Sequence, residues 1–520
     1  MALNLSRNTQ VFVSTANGVH ASGGSLIDVD TFTGGTGHAV GDVITLNDGV
    51  KVIVTAITGS GVVSKVQIPN NFRGTGLADD DTLTQSATTG SGSSFACAAK
   101  GVTSLTADGS RQPTGLFKGN GVSANTFKMG VLDGYNFSQS SESTDVTINE
   151  AGATPSRGSK RFNDSLSPAE WSFSTYVRPF KHGANSIRTE NHMDMCENIL
   201  WAAIAGKNIT GSSASGTLAP AVTCDGTDAD VSFVRSDHHE LLKLNIFFVL
   251  ENTTYRLNDC QVNQAEIDFS IDGIATIAWS GNATTIDQVT SAIEDPSKAL
   301  ETDGSTDAAY TALPYTEGFN FVDTTAPSDA DYLRNKLSTL SLVHKVTGSG
   351  ATEALSVATS GTTNKEYQIN ITGGSLTIAN NITYVTPETL GVVDSPIGSF
   401  TGSRQISGSL TMYLNTTGFG GTGNGSNHLL SDLTKATDLV NTEFDMSIFM
   451  GGASTATPLV QFDIGKAHLQ IPSIETADII SSTVEFAAQG ADLSTGDELT
   501  VIYKGSTKHN DSAYANNYTV

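Results

Sequence analysis

Alternation of apolar and polar residues with a period of two predicts β-strands along most of the chain. Residues 171–177 show it best, with Trp171, Phe173, Thr175 and Val177 on one side and Ser172, Ser174 and Tyr176 on the other. This is the pattern of a strand with one buried face. Stretches rich in β-branched and aromatic residues predict further strands at 9–15, 127–132, 145–148, 244–250, 261–271 and 275–279.

Residues 17–100 differ from the rest, because short apolar runs alternate there with Gly, Ser and Thr. Strands are expected at 43–46, 50–55 and 62–68, and Asn47-Asp48-Gly49 is a typical hairpin signal. We interpret 17–100 as a small all-β module inserted after the first strand.

Helical spacing is rare. The set Met193, Cys196, Leu200 and Ala203 predicts one helix over about Glu190 to Ala205, with Gly206 as its stop. A second helix is expected to carry Leu429, Leu433, Ala436 and Leu439 or Val440 on one face, and a short one is expected near Ser328 to Leu337. The fold class predicted is therefore mainly β, with antiparallel sandwiches or barrels and few helices.

The order strand, helix, strand, strand, strand occurs twice and predicts two related domains. Residues 404–414 correspond to 169–177, and 448–450 correspond to 246–248. At an offset of 207 (462 − 255), Tyr255 matches Phe462, Ile267 matches Ile474 and Trp279 matches Phe486. Chance similarity between two β modules is the alternative. The predicted division is 1–16 with 101–285 as the first domain, 17–100 as the inserted module, 286–365 as a linker or inserted subregion, and 366–520 as the second domain.

The charge balance argues against nucleic-acid binding. The 520 residues include 53 acidic and 28 basic ones, a net charge of −25. Stable binding to DNA or RNA requires Lys and Arg to neutralise phosphates, and an acidic field repels them. The alternative is that the acidity only keeps the protein soluble.

The four cysteines, Cys97, Cys196, Cys224 and Cys260, lie far apart without a CxxC pair. This spacing is typical of reduced thiols in a protein that folds in the cytoplasm, and not of a zinc site or a disulfide framework. The first residues lack the apolar core of a signal peptide, and no run of 18 apolar residues suggests a membrane span.

Candidate chemistry is sparse, so we expect no catalytic residue, no cofactor and no metal. The cluster Ser236-Asp-His-His-Glu240 contains metal-ligand residue types, but adjacent His side chains on a strand point to opposite faces. His192 and His428 are predicted at matching helix starts. The acidic residues Asp79, Asp80, Asp81, Asp329 and Asp331 fit solvated turns better than a calcium site. The tryptophans Trp171, Trp201 and Trp279 are expected in the core.

Residues 134–144, 161–166 and 171–179, together with Leu5-Ser-Arg-Asn-Thr-Gln-Val-Phe-Val-Ser-Thr15, resemble the tail tube (major tail) proteins of tailed bacteriophages. The resemblance is best over 1–15 and 125–285, and 365–505 is a weaker second copy.

The resemblance implies a virion tail protein whose β-domains assemble into stacked rings, the conduit for DNA ejection. Since some members have two fused tube domains, the duplication predicts a trimer with pseudo-six-fold symmetry. The implied partners are other copies of the chain, other tail proteins, and viral DNA passing without specific binding. Two alternatives are a virion-surface adhesin or decoration protein that binds host glycans and a tail-associated polysaccharide hydrolase.

Overall fold

Strands account for most of the computed structural model. It describes residues 9–14, 26, 28–69, 73–74, 76–100, 126–147, 158–182, 192–206, 222–224, 228–233, 241–290, 292, 295–305, 309–312, 322–323, 332–344, 365–386, 396–417, 424–434, 444–451, 459–471, 473–475, 479–491 and 496–504.

In chain order, the strands up to the middle of the first repeat are β1 (Thr9–Ser14), β2 (Val29–Thr36), β3 (Val43–Leu46), β4 (Lys51–Thr58), β5 (Val62–Pro69), β6 (Thr82–Thr88), β7 (Ser93–Ala99), β8 (Thr126–Met129), β9 (Asn136–Ser138), β10 (Ser141–Thr147), β11 (Ser159–Leu166), β12 (Ala169–Tyr176), β13 (Pro179–His182), β14 (His192–Met195), β15 (Val222–Cys224), β16 (Asp228–Ser232) and β17 (Leu244–Leu250). The remaining strands are β18 (Thr253–Asp268), β19 (Thr276–Ala283), β20 (Thr285–Val289), β21 (Lys298–Thr302), β22 (Ala309–Ala312), β23 (Val322–Asp323), β24 (Thr339–His344), β25 (Lys365–Ile369), β26 (Ile371–Ala379), β27 (Thr383–Val385), β28 (Gly398–Phe400), β29 (Gln405–Tyr413), β30 (Phe444–Met450), β31 (Leu459–Leu469), β32 (Ser473–Glu475), β33 (Ser481–Ala488) and β34 (Thr500–Lys504). Two α-helices are described, α1 (Asn198–Ala205) and α2 (Ser426–Leu433).

Two antiparallel layers build the first half of the molecule, which we define as β1, β8–β20 and α1. One layer has the order β8-β1-β17-β18-β20 and the other has the order β9-β12-β19-β18. The long strand β18 belongs to both layers, as strands at the corner of a sandwich do. The predicted mainly β fold with antiparallel sheets is confirmed.

The second half, β24–β34 with α2, repeats these pairings strand for strand. Its layers are β25-β24-β30-β31-β34 and β26-β29-β33, the latter continued by β31 and β32. Strand β24 lies between β25 and β30 as β1 lies between β8 and β17. It falls within 286–365, the region that the sequence predicts as a linker or inserted subregion. The domain boundaries stay predictions.

A shared β-bulge fixes the correspondence between the halves. The register shifts once between β17 and β18 and once, at the equivalent place, between β30 and β31. The pairs on either side are Ile246–Leu257 and Leu244–Cys260 in the first half, and Met446–Ile464 and Phe444–Ala467 in the second. The offset between β18 and β31 is therefore 207 (464 − 257), which agrees with the sequence for Tyr255 and Phe462.

The same ladders correct one match made from the sequence. Gln261 pairs with Asn282 in the first half and His468 pairs with Ala487 in the second, so β19 and β33 differ by 205 (487 − 282). Phe486 therefore occupies the position of Gly281, and its match with Trp279 was wrong by two residues.

One hydrophobic core lies between the two layers and runs through both halves. Its largest fully buried members include Trp201, Trp279, Tyr367 and Tyr503. Trp171 is also buried, at 2% exposure, so the expectation that the three tryptophans anchor the core is confirmed.

The inserted module is a single antiparallel sheet with the order β2-β7-β6-β3-β4-β5-β21-β22 and a core of its own. Six strands come from the predicted segment 17–100, and β21 and β22 join them from 298–312. The module leaves the first half between β1 and β8. The equivalent connection in the second half, between β24 and β25, is residues 345–364.

The helices differ from their predictions. Residues 192–195 form strand β14 against β13, so α1 starts at Asn198 and not near Glu190. His192 therefore lies on a strand while His428 lies in the first turn of α2, and the two are not at matching helix starts. In the segment near Ser328 to Leu337, the described residues form only a 3₁₀ turn, Asn335–Leu337. Residues 435–443 of the predicted second helix lie outside the described residues.

Candidate functional site

A continuous sheet of eight strands joins the two halves and is the candidate functional surface. Its order is β9-β12-β19-β18-β26-β29-β33-β32, and every neighbouring pair is antiparallel. Four strands come from each half, and β18, through its residues 261–268, meets β26 in the middle. One face of this sheet packs on the core, and the other is open.

Hydroxyl and amide side chains cover the open face. They include Ser172, Ser280, Asn282, Gln264, Thr377, Ser407, Ser409, Thr411 and Thr483, all half-buried or exposed. Ser375 and Ser409 lie 3.3 Å apart between their hydroxyl oxygens, as do Thr411 and Thr483, so neighbouring strands share hydrogen bonds across the face. A depression of about 270 Å³ on this face is bordered by Asn136, Glu170 and Asn282.

The only charges described on the open face are acidic: Glu170, Glu266, Asp268 and Glu485. The strand segments that form the sheet, with 261–268 as the part that β18 contributes, contain neither Lys nor Arg. These described strands therefore offer no cationic side chain that could neutralise a phosphate.

The junction between the halves is a regular ladder. Strand β18 pairs with β26 from Gln264 with Ala379 to Asp268 with Ser375. Ile267 and Leu376 face each other at its centre, and both are fully buried. The two halves are therefore joined by sheet hydrogen bonds and by a shared apolar contact.

Asn380 closes the junction at one end. Its side-chain amide donates to the carbonyl of Ile204, at the last turn of α1, at 3.0 Å. The Ile382 amide donates to Asn263 Oδ1 at 2.8 Å. The last carbonyls of a helix have no partner within it, so a side chain from the other half satisfies one here.

A second ladder, β16 with β34, also joins the halves. Beside it, the indole of Trp201 donates to the hydroxyl of Tyr503 at 2.9 Å in the buried core. Burial raises the pKa of Tyr503, so the phenol that accepts this hydrogen bond stays protonated at neutral pH.

The sheet has two outer edges, β9 and β32. In the part of the chain that the structure describes, each pairs on one side only, β9 with β12 and β32 with β33. Ile474, in the middle of β32, is 50% exposed, although its counterpart Ile267 is fully buried. Open edges with exposed apolar residues are surfaces that pair with another chain.

The polar candidates from the sequence do not gather at this surface. The cluster 236–240 and Asp329 and Asp331 lie outside the described residues, and nothing is described of the His192 side chain. Asp79, Asp80 and Asp81 form a turn in the module, where Asp81 accepts from the Ala78 amide. Among the described residues no group of three or more metal-ligand side chains occurs, and no described helix is long and apolar enough to span a membrane.

Sequence reasoning missed the two edges. The usable signal was the matched pair Ile267 and Ile474, because equivalent apolar residues of two related domains are expected to be equally buried. Ile267 is buried within the chain, whereas Ile474 is 50% exposed.

A sheet shared by two like halves, polar on its open face and with described edge strands that each pair on one side only, is typical of a structural protein that assembles with copies of itself. No family model matches the chain. The chain is 36% identical over 376 residues to the tail tube protein pb6 of Escherichia phage T5, which is 72% of this chain and 70% of that protein. The chain belongs to the phage tail tube proteins, and it is a structural component of the virion tail.

Proposed function

We propose that three copies of the chain close into a ring with pseudo-six-fold symmetry, and that stacked rings form the conduit for viral DNA. The observation that carries this proposal is the β18–β26 ladder, which joins two like halves edge to edge. The same contact between the second half of one chain and the first half of the next continues the sheet.

The internal ladder gives the register of the contact between chains. Strand β32 is the counterpart of the β18 end (474 − 267 = 207), and β9 is the counterpart of β26 (376 − 137 = 239), since Phe137 faces Trp171 as Leu376 faces Gly408. Ile474 is therefore placed opposite Phe137 of the next copy, as Ile267 lies opposite Leu376. Ser473 is placed opposite Ser138.

Three chains of eight strands give a barrel of about 24 strands, with a circumference of about 115 Å at about 4.8 Å per strand. Its backbone diameter is about 37 Å before strand tilt widens it. Barrels of about 16–18 strands already leave an aqueous channel, so this one leaves a wider lumen.

We assign the open polar face to the lumen. Without Lys or Arg, it makes no counterion-releasing contact with phosphates, and its carboxylates repel them. DNA therefore slides along hydroxyl, amide and carboxylate groups without being held. A cryo-EM map of the tube with a basic wall would contradict this assignment.

We also infer that the chain has no enzymatic role and folds in the host cytoplasm. The name of the relative supports a structural role over an adhesin or a hydrolase. Cys97, Cys196 and Cys260 are buried free thiols, as expected for folding in a reducing compartment.

A pair of engineered cysteines tests the ring. The backbone N–H of Asn380 donates to the carbonyl of Asn263, and the backbone N–H of Phe269 donates to the carbonyl of Gly374. The odd-numbered residues of β18 are therefore the ones whose backbone groups bond to β26. Glu266 and Thr377 are then a non-hydrogen-bonded pair, and so are their counterparts Ser473 and Ser138. Such pairs have Cα atoms about 4.5 Å apart, within the range of a disulfide. Ser138→Cys with Ser473→Cys in one chain is expected to give covalent dimers and trimers under oxidation, and the ladder on a non-reducing gel ends at the trimer.

The matched control is Ser138→Cys with Ile474→Cys, which is one residue out of register and puts the thiols on opposite faces. The described native thiols Cys97, Cys196 and Cys260 give little background, because all three are buried and burial raises the pKa of Cys97 to about 12. A ladder that ends at the hexamer would keep the ring but reject the fused-domain count. Equal crosslinking in both variants would reject the register.

A further inference from the structure

The hairpin β27–β28 of the second half lies along the first half. The Tyr384 hydroxyl donates to the carbonyl of Asn282 at 3.1 Å and to that of Asp259 at 3.4 Å. From the facing strand β28, Ser399 bonds to the side chain of Gln261. Together with Asn380, these contacts extend the junction of the halves beyond the β18–β26 ladder.

The first half has a hairpin at the same place, β10–β11, which extends from β9 as β27–β28 extends from β26. Its cross-strand pair Thr144–Phe162 matches Thr383–Phe400. Both phenylalanines are more than half exposed, Phe162 at 54% and Phe400 at 56%. Every described side chain of β10 is exposed. The side of β10 that corresponds to the side of β27 packed on the first half is therefore open to solvent.

The offsets between the halves identify which residues of the β10–β11 hairpin and of the second half correspond to the residues of the internal contact. Asp145 is the counterpart of Tyr384 (384 − 145 = 239), and its partner Arg161 is the counterpart of Ser399. On the receiving side, Lys466 is the counterpart of Asp259 and His468 that of Gln261, both at the offset of 207.

We propose that the β10–β11 hairpin docks on the second half of a neighbouring copy along Lys466–Leu469, with Asp145 facing Lys466. This inference rests on the proposed ring and names the contact that sets its order. The partner is a second copy of this chain, and opposite charges meet in the docked arrangement.

The same charges exclude the wrong order. If a first half docked on another first half, Asp145 would face the acidic residue Asp259 in place of Lys466, at the point where the Tyr384 hydroxyl bonds to the main-chain carbonyl of Asp259 inside the chain. Like charges opposite each other disfavour such a contact. First and second halves therefore alternate around the ring.

Arg161 fixes the orientation of the Asp145 carboxylate. Its guanidinium holds the carboxylate with two hydrogen bonds, from Nε at 2.7 Å and from Nη2 at 2.9 Å. These hydrogen bonds lower the pKa of Asp145, so its carboxylate is charged at neutral pH. Across the proposed contact, Arg161 faces His468.

A charge exchange in the Ser138→Cys/Ser473→Cys chain tests the pair, with the yield of covalent trimer as the readout. Asp145→Lys alone and Lys466→Asp alone are each expected to raise the protein concentration for half-maximal trimer about fivefold to tenfold. The two together are expected to restore it to within about twofold of the parent. Asp164→Lys, the same charge change on the other strand of the hairpin, is the matched control and is expected to have a smaller effect.

The outcomes separate the two proposals. If the parent chain forms covalent trimers but the double exchange is no better than the worse single change, the hairpin contact is wrong and the ring stands. If the parent forms neither trimers nor rings, both proposals fall. Rescue by the double exchange, with each single variant folded by circular dichroism, supports the contact.

Discussion

Two glycines show how the halves keep one fold with different residues. In the first half Trp171 lies opposite Gly281, and in the second half Gly408 lies opposite Phe486. An added Cβ at Gly281 would meet the Trp171 ring at 2.8 Å, and one at Gly408 would meet the Phe486 ring at 2.6 Å. The large ring is on β12 in the first half and on β33 in the second, and the glycine is on the paired strand in each case. In both halves the ring occupies the space above the glycine.

This exchange explains why the sequence misplaced Phe486. A match by side-chain size pairs aromatic with aromatic, and it therefore set Phe486 against Trp279. Backbone pairing decides the register, and it is not visible in side-chain size when bulk moves to the neighbouring strand.

Gly281→Ala is expected to lower the free energy of unfolding by about 1–3 kcal/mol, because the methyl group meets the Gln261 carbonyl at 2.1 Å and the Trp171 ring. Urea denaturation with tryptophan fluorescence measures it. Gly373→Ala is the control, since no atom lies within 4 Å of the position that its added methyl group would take. A change below about 0.5 kcal/mol at Gly281 would contradict the close packing.

At the scale of elements, strands were predictable wherever the pattern was local. The prediction for 244–250 agrees with β17 residue for residue, and that for 43–46 agrees with β3. Helix α1 was predicted too long, because residues 192–195 pair with β13 and such pairing is not a local property. The sheet edges and the junction depend on contacts more than a hundred residues apart, as between Ile267 and Leu376, so periodicity alone does not reveal them.

In the described residues the inserted module lies against the first half, and the outer faces of the two halves differ. Phe12 and Phe247 form a cross-strand pair there that is fully buried, whereas the equivalent pair in the second half is Ser341 and Ser447. The bond from Thr254 Oγ1 to Asp295 Oδ2, at 3.0 Å, ties the segment before β21 to the same layer. We infer that the module decorates the outside of the tube.

Removing the module cleanly means removing both of its segments. Replacing 15–125 with the 345–364 connection and 292–312 with a Gly/Ser linker is expected to leave rings intact in negative-stain micrographs. Deleting only 17–100 is expected to give aggregates, because Ala299 and Leu300, both fully buried, lose their cover. Loss of rings in the clean deletion, with the remaining protein folded, would show that the module takes part in assembly.

At the scale of the whole molecule, charge is distributed to serve the proposed conduit. The chain carries a net charge of −25, and its open sheet face carries carboxylates without cations among the described residues. Such a surface favours soluble subunits and, in the proposed conduit, leaves DNA mobile, because like charges repel in both cases.

Changing Glu170, Glu266, Asp268 and Glu485 to Lys is expected to make assembled tubes retain short duplex DNA, with retention falling steeply as salt rises. Co-sedimentation of labelled duplex with wild-type and variant tubes measures this, and wild-type tubes are expected to retain none above background. The same number of acidic-to-lysine changes on the module, at Asp30, Asp48, Asp79 and Asp80, is the control. Equal retention by both variants would place the sheet face outside the lumen.

The β18–β26 ladder also has a consequence for how a ring nucleates. A ring of six separate domains needs six contacts between molecules. A ring of three fused chains needs only three, because the other three domain contacts are intramolecular β18–β26 ladders. In the proposed ring, the third chain binds both open edges of a dimer at once, so its departure requires two ladders to break together. The proposal therefore implies that partial rings are scarce at equilibrium and that a tube grows from complete rings.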